Sequence, residues 1–223
     1  MLTENQLKTL VALAVVIWAG VLLYQHEPVS LHSLTPFSYV VTGLSAVLLL
    51  WDRWLWAWPV FRPWLTSQPD LRGTWKGALV SDWIDPQTNQ HRGSSDVYYV
   101  IRQTYSTIDV RMLTVESTSE SLSGNLFADK VGLYKLAVTY RNIPRLLERS
   151  RSAVHHGGAL LNVIGKPIHK LDGEYWTDRG TSGELTFTLR TRKIVDDFEE
   201  ARQQEFNPPG SRSAAGASRV DQA

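Results

Sequence analysis

The chain has 223 residues, room for one ordinary domain plus an additional element, and 23 Lys and Arg against 22 Asp and Glu give it a formal charge of +1. That balance supplies no basic field and argues against a DNA or RNA polymer as partner. The absence of cysteine excludes a disulfide framework, thiolate catalysis and cysteine-ligated metal.

Two apolar stretches without charge open the chain: "TLVALAVVIWAGVLLYQ" (9–25) and "SLTPFSYVVTGLSAVLLLW" (33–51). A bilayer core of roughly 30 Å needs about 20 helical residues, so the sequence predicts two transmembrane helices over about 7–25 and 34–54. Thr35 stands as N-cap of the second and Pro36 at its first helical position. The connector 25–35 has no Lys or Arg, whereas Arg53, Arg62, Arg72 and Lys76 follow the second stretch. The positive-inside rule then gives a two-span protein with both termini cytoplasmic and, in a Gram-negative cell, a periplasmic connector.

Directly after the second stretch comes "WDRWLWAWPVFRPW" (51–64), with five of the chain's nine tryptophans. Indole is amphipathic and settles at headgroup level, and guanidinium reaches phosphate. Trp51, Arg53, Trp54, Trp56, Trp58, Arg62 and Trp64 are the candidate membrane-interface residues, with Pro59 and Pro63 ending the helix. The competing reading is a tryptophan-rich core segment. Residues 1–69 form the expected anchor.

Past Pro69 the hydrophobic period changes to two. Six segments rich in β-branched and aromatic residues (73–84, 95–105, 106–117, 132–142, 159–165 and 182–191) and two shorter ones (120–129 and 171–180) are separated by turn signals such as "LDGE" and "DRGTSG". About eight short strands at this spacing predict an antiparallel, all-β minimal barrel over 70–195, whose interior can hold side chains or one small ligand. A helical interruption is predicted over 142–156. "GTW" (73–75) resembles the opening of lipocalin-type barrels, in which the indole plugs the floor. Residues 196–223 read as a charged helical extension and a disordered tail.

No phosphate-loop, nucleophile-elbow or H-E-x-x-H pattern is present. The adjacent His155 and His156 point about 100° apart on a helix and lack an acidic partner at helical spacing, so no metal site is expected. Asp109 and Glu116 read as a solvated face. Neither enzyme activity nor a cofactor is expected.

The remaining chemistry lies in strand arginines and aromatics. A guanidinium fork matches phosphate oxygens, aromatic faces stack on bases, and turn amides and hydroxyls meet phosphate. The candidate ligand set is Arg111, Tyr140, Arg141, Tyr175, Trp176, Thr177, Arg179, Thr181 and Arg190, suited to a compact anionic ligand with flat rings. The alternative is that the arginines face solvent and the tyrosines fill the core.

Two apolar N-terminal stretches, a tryptophan-rich segment and a minimal barrel carrying "LRGTWKGALVSDWIDP" (71–86) and "LDGEYWTDRGTSGELTF" (171–187) together resemble the two-transmembrane β-barrel effectors of the bacterial CBASS antiphage systems. The resemblance covers about residues 1–192. It implies a non-enzymatic receptor for a cyclic dinucleotide made by a partner CD-NTase synthase. Ligand binding would drive homo-oligomerisation, and the spans would disrupt membrane lipid and kill the infected cell. A membrane-tethered barrel that carries an apolar ligand or scaffolds an envelope complex is the alternative function.

Overall fold

A computed structural model describes residues 4–24, 37–62, 65–84, 89–91 and 93–210. The expectations for Thr35, Pro36, the 25–35 connector, Trp64 and the tail from 211 lie outside the described residues. The chain divides into two compact units, Met1–Gln68 with Thr104–Ser106, and the remainder.

The first unit contains helix α1 (Glu4–Tyr24) and helix α2 (Phe37–Arg53), followed by two single 3-10 turns, Leu55–Ala57 and Pro59–Phe61. Prolines at 59 and 63 leave the chain after α2 without a continuing helix. Among the described residues no helix is long and apolar enough to cross a membrane. Helices α1 and α2 lie along the two stretches, 7–25 and 34–54, that the sequence marks as spans. They do leave Val11, Val15, Val16, Leu23, Val41 and Leu49 exposed.

The tryptophans of this unit are of two kinds. Trp54 and Trp58 are 56% and 54% exposed, as an interfacial belt requires. Trp56 is fully buried beneath the Arg62 guanidinium, 5.6 Å from the ring centre, and Trp51 packs edge-on against Phe61 and Tyr105 at 5.3 and 5.9 Å. For Trp56 the packing reading applies, because a fully buried indole has no face left for headgroups, whereas Trp51 is half-buried. Asp52 holds the same cluster: its backbone carbonyl accepts from Tyr105 N–H at 2.9 Å, and its Oδ1 accepts from Ser106 N–H at 2.9 Å.

The second unit is a closed eight-stranded antiparallel barrel in simple meander order: β1 (Gly73–Ser81), β2 (Ser95–Gln103), β3 (Ile108–Leu113), β4 (Ser117–Ala128), β5 (Tyr134–Pro144), β6 (His155–Ile164), β7 (Lys170–Thr177) and β8 (Ser182–Thr191), with β8 pairing back to β1. Alternation does the sorting. Trp75, Tyr99, Ile101, Val110, Leu136, Leu161, Leu171 and Phe187 point inward and form one core with almost no exposure. The expected helix over 142–156 is absent. Residues 142–144 extend β5, residues Leu146–Glu148 make one 3-10 turn, and β6 starts at His155.

The barrel floor is the end where β1 begins and β8 stops. Gly73 has φ +124°, and a Cβ there would lie 2.2 Å from the Thr191 carbonyl oxygen, so "GTW" needs its glycine. Two residues on, the fully buried Trp75 donates its indole N–H to the Leu71 carbonyl at 2.9 Å. Arg190 from β8 lies over that indole, 5.0 Å from the ring centre, and its Nε donates to the Arg72 carbonyl at 3.2 Å. Asp70, buried beneath, accepts from Arg72 at 2.9 Å and Arg192 at 2.7 Å and stands 3.6 Å from Arg190. Burial alone would raise the Asp70 pKa; the hydrogen bonds from Arg72 and Arg192 outweigh it and hold the carboxyl well below the usual range.

The segment after β8 belongs to the fold. Val195, Phe198 and Ala201, the last two in helix α3 (Phe198–Arg202), are buried against Tyr98, Val100 and Leu113 on the outer face of β2 and β3. Asn207 then pairs with Arg190 as an isolated bridge. Asp197 caps α3 by accepting from Glu200 N–H at 2.8 Å.

Replacing Asp70 by Ala leaves Arg190 buried without its counter-charge, and a loss of about 3 kcal/mol is expected in urea unfolding at neutral pH. Because the folded pKa of Asp70 is depressed, its contribution is complete above the unfolded carboxylate pKa of about 3.9 and fades as pH falls towards the folded value. The gap between wild type and Asp70→Ala should therefore narrow steadily below about pH 4. A gap that is constant down to pH 2 would remove the ionic role.

Candidate ligand site at the mouth of the barrel

The other end, the mouth, is framed by the loops β1–β2, β3–β4, β5–β6 and β7–β8. Just inside it, the Ser119 hydroxyl donates to Asn142 Oδ1 at 2.8 Å, both side chains being buried. Tyr99, Val110, Met112, Ser119, Val138 and Tyr140 enclose a cavity of ≈ 10 Å³, no more than a water's worth of space. Burial pushes the Tyr99 and Tyr140 phenols above their ordinary pKa, so both stay protonated at neutral pH. Among the described residues the side chains lining this part of the interior leave room for about one water, and a ligand with flat rings has to engage the rim or displace them.

The rim is built from three pieces. The β7–β8 turn is tied by Thr177, whose hydroxyl meets the Thr181 hydroxyl at 2.7 Å and accepts from the Thr181 and Arg179 amides, both at 3.3 Å. Arg179 Nη1 donates to Ser152 Oγ at 2.8 Å and so joins this turn to the β5–β6 loop. Asp82 from the β1–β2 side accepts from the Ser182 hydroxyl and amide at 2.6 and 2.8 Å. That hydroxyl, then the amide, holds the Asp82 carboxyl below its ordinary pKa.

The β5–β6 loop carries the cations. Residues 145–156, "RLLERSRSAVHH", contain three arginines and two histidines against one glutamate. Arg151 is engaged by Glu116 at 3.1 Å and by Glu148. Arg149 donates to the Pro144 carbonyl at 3.2 Å, and the Arg145 side chain is exposed.

The sequence-derived ligand set does not converge on one place. Tyr140 and Tyr175 are buried inside the barrel near the mouth, and Thr177, Arg179 and Thr181 form the rim turn. Trp176 lies on the outside, 48% exposed, its indole flat against Gly158 so that a Cβ there would sit 2.5 Å from its ring. Arg111 and Arg141 also point outward, Arg111 opposite Glu120 and Arg141 opposite Glu120 and His156 in the ladder. Arg190 is at the floor, bound to Asp70 and Arg72, where it closes the barrel. The mouth residues absent from that set are Arg145, Arg149, Ser152 and His155. Three arginines within "RLLERSR" were the available signal, hidden by the helical pattern of the same stretch.

Residues 66–189 match the family model described as Cap15, cyclic dinucleotide receptor domain. The matched span runs from the approach to β1 almost to the end of β8. The chain is 26% identical over 148 residues to CD-NTase-associated protein 15 of Staphylococcus schleiferi, covering 66% of this chain and 75% of that protein. It is also 26% identical over 166 residues to CD-NTase-associated protein 15 of Yersinia aleksiciae, covering 73% and 74%.

Thr177→Val removes a hydroxyl that receives two turn amides, and about 1 kcal/mol should be lost in urea unfolding. Arg179→Ala, an exposed side chain bonded among the described residues to Ser152, should stay within about 0.5 kcal/mol of wild type. A larger loss at Arg179 would mean that the turn depends on its guanidinium.

Proposed function

The chain belongs to the Cap15 cyclic dinucleotide receptor family, and we propose that it is a membrane-bound CBASS effector that reads a cyclic dinucleotide at the barrel mouth and is switched on by it. The observation that carries this reading is the family match over the barrel, supported by the concentration of guanidinium, hydroxyl and phenol groups at one end of it. The nucleotide is made by a CD-NTase encoded with the effector, the pairing that the relatives' names imply.

At the mouth the chemistry divides by ligand part. Arg145, Arg149 and Arg179 meet the two phosphates, aided by the hydroxyls of Ser152 and Thr181. Tyr140 and Tyr175 offer ring surface once the loops part. Arg190 stays with Asp70 and takes no share, and Arg111 and Arg141 act outside the site. The carrier alternative loses support from the filled interior, since a cavity of ≈ 10 Å³ has no room for an acyl chain.

The membrane role rests on α1 and α2. Their exposed valines and leucines form apolar faces larger than water-facing helices usually keep uncovered, and lipid is the cover we propose, with both termini on the cytoplasmic side of the inner membrane. Binding then biases an assembly of copies concentrated in two dimensions, and the assembled helices breach the bilayer. Silence without ligand requires several kcal/mol of differential affinity between assembled and unassembled states. No catalytic step is needed for any of this.

Thermal unfolding of the full chain is the test, run against a panel of cyclic dinucleotides. A ligand at hundredfold excess over its Kd should stabilise by roughly 2.7 kcal/mol. Arg145→Ala with Arg149→Ala should abolish the shift, whereas Arg111→Ala should leave it intact. An unchanged shift in the mouth double variant would move the site elsewhere on the barrel.

A further inference from the structure

Charged, apolar and turn residues meet at the floor end, in the β4–β5 hairpin tip "FADKVGLYK" (127–135). Hairpin tips are ordinarily polar. This one places Val131 at 79% exposure, Leu133 at 58% and Phe127 at 38%. The turn itself produces the display. Asp129 Oδ1 accepts from the Val131 and Leu133 amides at 3.0 and 2.9 Å, and the Asp129 amide donates to the Leu133 carbonyl at 2.8 Å. Gly132 takes φ +82° to complete it. The carboxylate is thereby turned onto backbone amides, and both apolar side chains are turned out.

What flanks the tip is cationic. Lys130 is exposed, and Lys135 lies beside Phe127 in the β4–β5 ladder. The β6–β7 turn at the same end adds Lys166, and Lys170 pairs with Asp172 at 2.7 Å. Among the described residues Lys130, Lys135 and Lys166 have no ion-pair partner. An apolar tip ringed by unpaired lysines matches the boundary of an anionic bilayer, where side chains enter by about 5–10 Å and lysine heads meet phosphate.

We propose that the β4–β5 hairpin tip is a second, peripheral membrane contact that docks the barrel on anionic lipid by Phe127, Val131 and Leu133, with Lys130, Lys135 and Lys166 on the headgroups. It rests on the reading of α1 and α2 as the anchor. A protein-partner patch would favour a continuous flat face; here three apolar side chains stand at one narrow tip flanked by three unpaired lysines, while the Asp129 carboxylate is turned onto backbone amides.

The chain lacks cysteine, so single variants can each carry one environment-sensitive fluorophore. Val131→Cys (tip), Val115→Cys (mouth, 58% exposed) and Val16→Cys (α1) are labelled in the full chain and reconstituted into phosphatidylglycerol–phosphatidylethanolamine vesicles containing doxyl-quencher lipid. The expected result is strong quenching at Val16 and Val131 and several-fold weaker quenching at Val115. Adding Lys130→Glu and Lys166→Glu should cut quenching at Val131 several-fold and leave Val16 unchanged. Quenching at Val16 with Val131 no better than Val115 overturns the hairpin contact and spares the anchor. No quenching at Val16 or Val131 overturns both. A blue-shifted Val131 signal that ignores quencher lipid and grows with protein density assigns the tip to a second copy and also overturns the proposal.

Discussion

The second unit depends on closing the sheet at its floor. A sheet of eight strands has two edges, and a barrel removes both only if β8 reaches β1 in register. Trp75 and Arg190 face each other across that seam, and the guanidinium over the indole joins the first strand to the last. Asp70 is what makes this arginine tolerable. Its buried carboxylate neutralises a guanidinium that is itself almost buried. Removing Asp70 takes the carboxylate away from a nearly buried guanidinium, whereas Asp70 itself keeps Arg72 and Arg192, so the seam is held by an interaction that is costly to break from the acidic side and of modest worth relative to an apolar substitute.

Filling the interior follows from the same closure. Large inward residues from every part of the sheet, with Trp75 at the base and Tyr99 on Phe187 at 4.6 Å in the middle, leave no chamber. The two ends of the barrel are therefore free to differ. The floor is a packed ionic and aromatic plug. The mouth is made of turns tied by exposed hydrogen bonds, such as that from Arg179 to Ser152 and the pair from Ser182 to Asp82. Those bonds are exposed and individually weak, and a ligand can exchange them for its own without unfolding a strand.

Much of this fold was legible because alternation is a direct trace of an inside and an outside. The eight strands and the glycine-x-tryptophan opening follow from local pattern. Facing direction was harder in "VYYVI" (97–101), where every residue is buried. Tyr99 lies in the barrel core while Tyr98 is covered by α3, with Phe198 5.3 Å away. A strand with two covered faces gives no alternation to read. The i, i+3, i+6 spacing of Val195, Phe198 and Ala201 was a signal for that cover, masked by the surrounding charge. Pattern also misled over 142–156: Leu146 and Leu147 between arginines mimic an amphipathic helix, yet Asn142 is drawn into the strand by Ser119, a partner 23 residues away.

The candidate site was less legible for a related reason. A guanidinium in a strand has the same local sequence signature whether it meets solvent, a ligand or a buried carboxylate. Arg190 and Asp70 lie 120 positions apart, and only the closed sheet brings them together. Under the proposed function, with Arg190 held on the floor by Asp70, the cationic groups that meet a doubly negative ligand are those of the mouth loops. That redistribution has a mechanical consequence. Ligand energy applied at the mouth acts on turns that can rearrange, at the end opposite a floor that cannot do so without exposing charge. The soft elements available to answer the ligand are then the β5–β6 and β7–β8 loops, joined by Arg179. Leu146 and Leu147, exposed in the first of these, would move with them.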